Sequence, residues 1–457
     1  MQKKFQKIVQ QKRALARRAA AAALLLAAVN AGAATSAQPG EPDDERASQL
    51  SGLVATMYPE LDALYKDLHA HPELAFAETR TASRLAREMR ALGFEVTENV
   101  GKTGVVALYR NGPGPTIMVR TDMDGLPMEE KTSLPYASKT VTTWNGRESF
   151  VAHSCGHDLH MATWVGAARA LVAMKAQWRG TLMFVAQPAE EIGAGARAML
   201  ADGLFTRFPK PDTALALHTD PRPYGTVSYS IGPMTSAATS FEILFKGRGG
   251  HGSAPNKALD PIIIASRFVT DVQAVTSREK DPMAFGVITV GALQAGSSGN
   301  IIPDSAVLRG TIRAYDSGVR ALLVDGVRRV ARASASAAAA PEPEITITDN
   351  GLGVVNSETV VARVEAALQT GLGKDKVART LPLTTSEDFA EYGGEGVPSM
   401  FFLVGVLDPE EVSAASKSGG KPLVFNHSPY FAPVPEPSIK TGVTAMSLAV
   451  LSLLAAP

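Results

Sequence analysis

Two uninterrupted apolar runs constrain the fold of this chain more than any other feature: GTLMFVA at residues 180–186 and TALALH at 213–218. A strand with one face in water alternates apolar and polar residues. An unbroken run therefore reads as a strand buried on both faces. Residues 51–92 and 158–176 carry apolar residues at helical spacing. Helices alternating with such strands predict an α/β layered architecture. Between Thr103 and Thr121 two apolar runs flank the turn residues Asn111 to Pro115, which reads as a hairpin or strand pair. The apolar, uncharged stretch 441–457 is expected to pack as a terminal helix rather than to anchor in a membrane.

The middle of the chain follows another rhythm. Residues 239–247 (TSFEILFKG) alternate, a helix is predicted over about 259–278, and strands near 285–293 and 305–315. A helix near 317–339 and a strand at 344–348 complete a βαββαβ order, the ferredoxin-like pattern. A chain of 457 residues exceeds one ordinary core. The expected division is a first domain over 49–236 and 350–457, with a mixed, mainly parallel sheet, interrupted by a second over 237–349. Residues 38–50 (QPGEPDDERASQL) read as a polar linker.

The first 37 residues hold seven basic side chains (Lys3, Lys4, Lys7, Lys12, Arg13, Arg17, Arg18) and no acid. An apolar run from Ala19 to Val29 follows, then small residues that place cleavage at Ala33 or Ala37. This is the pattern of a secretory signal peptide, and the run is too short to span a bilayer. Export, as to a bacterial periplasm, is expected, with no membrane span in the mature protein. Without the leader, 38 basic residues face 45 acidic ones, a net charge of −7 that offers nucleic acid no footing. The single cysteine, Cys155, excludes an internal disulfide.

Several motifs carry residues suited to chemistry. In SCGHD (154–158), Cys155 and His157 flank a glycine that lets thiolate and imidazole converge on one point. A helix cap with an incidental histidine would look the same, and Asp158 could cap the helix or orient a ligand. QPAEE (187–191) follows a buried strand, and two adjacent carboxylates cannot easily serve one point. Glu190 and Glu191 suit a general base and a metal ligand, in an order that spacing leaves open. His218 ends TALALH, at the strand end where α/β sheets gather ligands, while His427 in NHSP says little alone. GRGGHGSAP (247–255) leaves His251 exposed among glycines. Asn300 in SGNIIPD and Arg313 in GTIRAYD would together suit a substrate carboxylate.

The ordered set LHAHPELAFAETRTA (68–82), RTDMDGLPMEE, SCGHD, QPAEE, GRGGHGSAP, GNIIPD, TSEDFA and HSPYF (427–431) resembles the metallo-amidohydrolase family of hippurate hydrolases, indole-acetyl-amino-acid hydrolases, aminoacylases and related zinc carboxypeptidases. The family usually reads Met-His-Ala before its Cys-Gly-His core, where this chain has Ala152, His153 and Ser154. The resemblance implies a catalytic α/β domain with an inserted lid and dimerisation domain. It implies two divalent metal ions per subunit (Zn, Mn, Co or Ni), held by Cys155, His157, Glu191, His218 and His427, with Glu190 as general base. It implies that His251 polarises the substrate carbonyl from the lid of a homodimer partner, and that Asn300 and Arg313 bind the substrate carboxylate. The implied activity is hydrolysis of the amide bond of N-acyl amino acids or short peptides. A carboxypeptidase or dipeptidase would use the same chemistry, and a binding protein would keep the fold without it.

Overall fold

The unbroken apolar runs form central strands of a sheet with a hydrophobic core on each face. The computed structural model describes residues 42–456, so the expected signal peptide at 1–37 lies outside the described residues. Helices α1 (Pro42–Ala70) and α2 (Thr79–Ala91) precede strands β1 (Glu95–Val100), β2 (Gly104–Asn111) and β3 (Thr116–Asp122). Helix α3 (His157–Ala173) follows, then β4 (Gly180–Gln187), β5 (Thr213–Pro223) and β6 (Val227–Tyr229). Next come β7 (Ala237–Lys246), α4 (Pro261–Asp271), β8 (Gly286–Ala295), β9 (Ser305–Ala314), α5 (Ser317–Ser336) and β10 (Glu344–Gly351). Helix α6 (Glu358–Leu372), β11 (Val377–Arg379), β12 (Ser399–Leu407) and α7 (Pro435–Leu453) complete the order.

The first sheet has eight strands in the order β1-β2-β4-β3-β5-β12-β6-β11. The central strands β4, β3, β5 and β12 run parallel. The pairs β1–β2, β2–β4 and β12–β6 are antiparallel, so the sheet is mixed. Strand β4 shows why its sequence lacks alternation. Leu182, Phe184 and Ala186 enter the core beneath α1, α2, α3 and α7, while Met183 and Val185 enter the core on the other face. Trp164 ties α3 to the sheet, its indole N–H donating to the Val119 carbonyl at 3.0 Å.

Two local expectations need correction. Strands β2 and β3 do not pair, because β4 lies between them, antiparallel to one and parallel to the other. A turn dictates only that its strands reverse direction. The slot between them goes to the more apolar β4, whose buried backbone groups need partners on both edges. The linker expected to run to residue 50 ends earlier, since α1 begins at Pro42. Leu50, Val54, Leu61, Leu64 and Leu68 recur at helical spacing and are all buried, which draws that stretch into the core.

The second sheet is built wholly from residues 237–351, in the antiparallel order β8-β9-β7-β10. Helices α4 and α5 bring Ile264, Phe268, Leu323 and Val327 into a separate core with Phe241, Phe245 and Leu308 of the strands. Helix α7 is buried along most of its length in the first core. Among the described residues no helix is long and apolar enough to cross a membrane.

Candidate metal centre

The carboxyl ends of the parallel strands β3, β4 and β5 gather most of the residues singled out above. Asp122 ends β3, with Asp124 two residues on. Gln187 ends β4 and leads to Glu190 and Glu191, and His218 lies in β5. Helix α3 starts here, with Cys155 just before it and His157 as its first residue. Gly156 between them is left-handed (φ +92°), and a Cβ there would stand 2.6 Å from Thr219 Oγ1. That hydroxyl donates to the Cys155 carbonyl at 2.8 Å, and Asn426 Nδ2 donates to the same oxygen at 2.9 Å. The His427 N–H donates to the Ser154 carbonyl at 2.8 Å. The loop carrying the thiol is thus pinned by the two segments that carry His218 and His427.

The donor atoms of Cys155, His157 and His218 lie within 4.8 Å of one another, as do those of Cys155, Glu191 and His427, and of His157, Glu190 and Glu191. Cys155 Sγ is 3.3 Å from His218 Nε2, and His427 Nε2 is 3.4 Å from Glu191 Oε2. The tautomers follow from the neighbours. His157 Nδ1 lies 2.8 Å from the Asp124 carbonyl and His218 Nδ1 2.7 Å from the Thr219 carbonyl. A carbonyl only accepts, so each Nδ1 carries a proton and Nε2 is the nitrogen directed to the centre. His157 Nε2 and Glu191 Oε1 are buried, and neither has a hydrogen-bond partner among the described residues. Each such orphan costs about 1–3 kcal/mol. An imidazole nitrogen and a carboxylate oxygen, both unpartnered and converging with a thiol, suit divalent cations.

His160 also stands in the cluster but is not available as a ligand. Its Nδ1 is 2.7 Å from Asp122 Oδ1, and its Nε2 accepts the Thr219 N–H at 2.9 Å. Both nitrogens are committed and the ring is neutral, with burial lowering its pKa to about 3 against the pull of Asp122. Asp158, the first turn's carboxylate, faces away from the centre and binds His69 Nδ1 at 2.6 Å.

The floor of the site is a buried charge network. Arg120 on β3 pairs with Asp122 at 2.7 Å, Glu387 at 2.8 Å and Asp388 at 3.1 Å. Gln187 joins it, accepting from Arg120 Nε at 3.0 Å and donating to Asp388 at 2.6 Å. Burial, then the charge of Glu387, then that of Glu191 push Glu190 well above the usual carboxylate range. Burial raises Glu191 to about 7 against the pull of His157. The loop bearing both is tightly folded. Asp124 accepts the N–H groups of Glu190 and Glu191 at 3.0 Å each, and a Cβ on Gly195 would lie 1.6 Å from the Pro188 carbonyl oxygen.

Cys155, Glu190, Glu191, His218, Glu387, Asp388 and His427 line a cleft of about 790 Å³ together with Leu383, Phe401 and Arg313. Arg313 is half-buried, donates to Ser386 Oγ, and has no carboxylate partner among the described residues. His251 and Asn300 lie elsewhere, both exposed, in a surface notch with Gly249 and Asp304. Within the chain the structure therefore brings together Cys155, His157, Glu190, Glu191, His218, His427 and Arg313. It places Asn300 beside His251 rather than beside Arg313.

Sequence reasoning assigned no role to Arg120, Asp122, Asp124, Glu387 or Asp388, although RTDMDGLPMEE and TSEDFA contain them. The available signal was an arginine and an aspartate two apart, hence on one face, in a strand otherwise apolar enough to be central.

Comparison with known proteins is consistent with this geometry. The sequence model of peptidase family M20/M25/M40 matches residues 118–450. Hippurate hydrolase of Campylobacter jejuni subsp. jejuni is 37% identical over 332 residues, covering 72% of this chain and 84% of that protein. Thermostable carboxypeptidase 1 of Saccharolobus solfataricus is 33% identical over 389 residues, 84% of this chain and 92% of that protein. The crystal structure of the YXEP protein of Bacillus subtilis, described as a dinuclear metal binding peptidase from the M20 family, superimposes with a TM-score of 0.71 at 30% identity. It covers 88% of this chain and all of that one.

Proposed function

The chain belongs to peptidase family M20/M25/M40, and from that premise we propose that it is a metal-dependent hydrolase cutting the amide bond of N-acyl amino acids or short peptides. The observation that carries the reading is the convergence of two buried polar atoms without hydrogen-bond partners, His157 Nε2 and Glu191 Oε1, with Cys155, His218 and His427. These five residues would hold two divalent ions, drawn from Zn, Mn, Co or Ni. When bound, the ions would lower the pKa of water toward about 7 and polarise the scissile carbonyl.

The protein's own groups do the rest. Glu190 sits within the cluster but faces Glu387 and Asp388, while Glu191 faces Cys155 and His427. This supports Glu191 as ligand and Glu190 as general base, taking a proton from water and returning it to the leaving amine. Arg313, a cleft cation without an acid partner, would receive the substrate carboxylate. Residues 237–349 would serve as lid and dimerisation unit, and His251 of the partner subunit would stabilise the developing oxyanion. Because Asn300 shares the notch with His251, the two would reach a cleft together. The leader at 1–37 would export the enzyme.

The test is a panel of N-acyl amino acids and dipeptides assayed with chelated and with metal-reconstituted enzyme, beside Glu190→Gln. Activity should vanish on chelation and return with metal, and Glu190→Gln should lower kcat by about 10² or more with metal content retained. Preference within the panel separates an amidohydrolase from the carboxypeptidase or dipeptidase reading. Full activity of rigorously metal-free enzyme would overturn both.

A further inference from the structure

The loop that carries Glu190 and Glu191 makes a turn that is held from outside the site. Ala189 is left-handed at φ +52°, a conformation a non-glycine residue seldom adopts. Its N–H donates at 2.8 Å to Oε1 of Glu78. The same oxygen accepts the N–H of Phe76 at 3.0 Å, and Phe76 is itself left-handed at φ +61°. Glu78 Oε2 accepts from the Thr103 hydroxyl at 2.5 Å. One fully buried side chain thus satisfies donors from three separate segments, two of them on left-handed residues.

Glu78 occupies the N-cap position of α2, yet its side chain makes no capping bond to that helix. A side-chain oxygen at that position normally serves its own helix. Here the carboxylate turns to the catalytic loop. Asp124 takes the next two N–H groups, so three consecutive amides, those of residues 189 to 191, are fixed by two buried carboxylates. Burial raises the pKa of Glu78 to about 7. A proton on Oε2 could be donated to the Thr103 oxygen, so Oε1 keeps its acceptor role in either state.

We propose that Glu78 is a positioning residue, which fixes the left-handed turn at Ala189 and thereby aims Glu190 and Glu191 into the metal centre. The inference rests on the reading of that loop as the source of base and ligand.

The test compares Glu78→Gln with Glu78→Ala in the metal-loaded enzyme. An amide oxygen can still accept from Phe76 and Ala189, and the amide nitrogen can donate to Thr103, whereas alanine deletes all three bonds. Glu78→Gln should keep near wild-type kcat. Glu78→Ala should lose about 10²-fold in kcat per metal-loaded site, the scale of a small misplacement of catalytic groups. Amide exchange of the segment 187–195 should quicken in Glu78→Ala alone. Adding Ala189→Gly to Glu78→Ala should recover part of the kcat, because glycine adopts the left-handed turn unaided. Two results would overturn the proposal: wild-type kcat and exchange in Glu78→Ala, or Glu78→Gln as impaired as Glu78→Ala. The exchange measurement does not depend on activity. A failure of the catalytic reading, seen as full kcat in Glu190→Gln, is thereby distinguished from a failure of Glu78 to hold the turn.

Discussion

Replacing His69 with Gln should remove a pH-dependent part of the stability whose size and sign follow from the geometry. His69 Nδ1 is 2.6 Å from Asp158 Oδ2 and Nε2 is 3.0 Å from Glu130 Oε1, and all three side chains are buried. Ionised carboxylates only accept, so both ring nitrogens carry protons and the imidazole is cationic. Burial opposes that charge, but the bonds to Asp158 and then Glu130 outweigh it and raise the pKa from 6.5 to about 10. At about 1.4 kcal/mol per pH unit, the rise corresponds to about 5 kcal/mol. A raised folded-state pKa stabilises fully below the unfolded value of 6.5, and the stabilisation fades as pH climbs toward 10. The gap in unfolding free energy between wild type and His69→Gln should therefore be widest at and below pH 6.5 and narrow steadily toward pH 10. Denaturant unfolding read by the fluorescence of Trp164 and Trp178, both buried in the first core, measures it directly. Chelator present throughout keeps metal linkage out of the comparison. A gap that stays constant from near neutral pH to 10 would refute the charged imidazole and the magnitude built on it.

Arg120→Met should destabilise the fold by about 3–5 kcal/mol, because it leaves Asp122, Glu387 and Asp388 buried without their cation; denaturant titration checks it, and a loss within the range of surface substitutions would refute it. His251→Ala and Glu190→Gln, each nearly inactive alone, should regain a fraction of wild-type activity when mixed under subunit exchange. Recovery requires sites completed in trans, and its absence despite demonstrated exchange would remove that role of His251. N-terminal sequencing of the exported protein should find its start near Ala34 or Gln38, whereas retained Met1 would contradict export by cleavage.

Much of the architecture was legible in the chain because it rests on short-range pattern. The run GTLMFVA has no polar face, so it had to be a central strand, and strands expected near 285–293 and 305–315 form over Gly286–Ala295 and Ser305–Ala314. The slot between β2 and β3 was not legible. Which strand fills it depends on β4, more than 60 residues from the turn at 111–115.

The site divides in the same way. Convergence of Cys155 and His157 could be read from a glycine beside a helix start, a local matter, although a helix cap with an incidental histidine would look the same. The order of Glu190 and Glu191 could not be read so, since it depends on what each meets: Glu387 and Asp388 on one side, Cys155 and His427 on the other. Arg120 and its three acids are ordinary charges in the sequence, and only burial on both faces of β3 turns them into a single network. By itself the sequence determined which segments become strands and helices and which side chains can bind or transfer a proton, because those properties belong to residues and their near neighbours. Tertiary structure alone decided which nitrogen of His157 and His218 is directed to the centre, which carboxylate faces which partner, and that Asn300 lies with His251 and apart from Arg313. Each of these depends on groups brought together from distant parts of the chain.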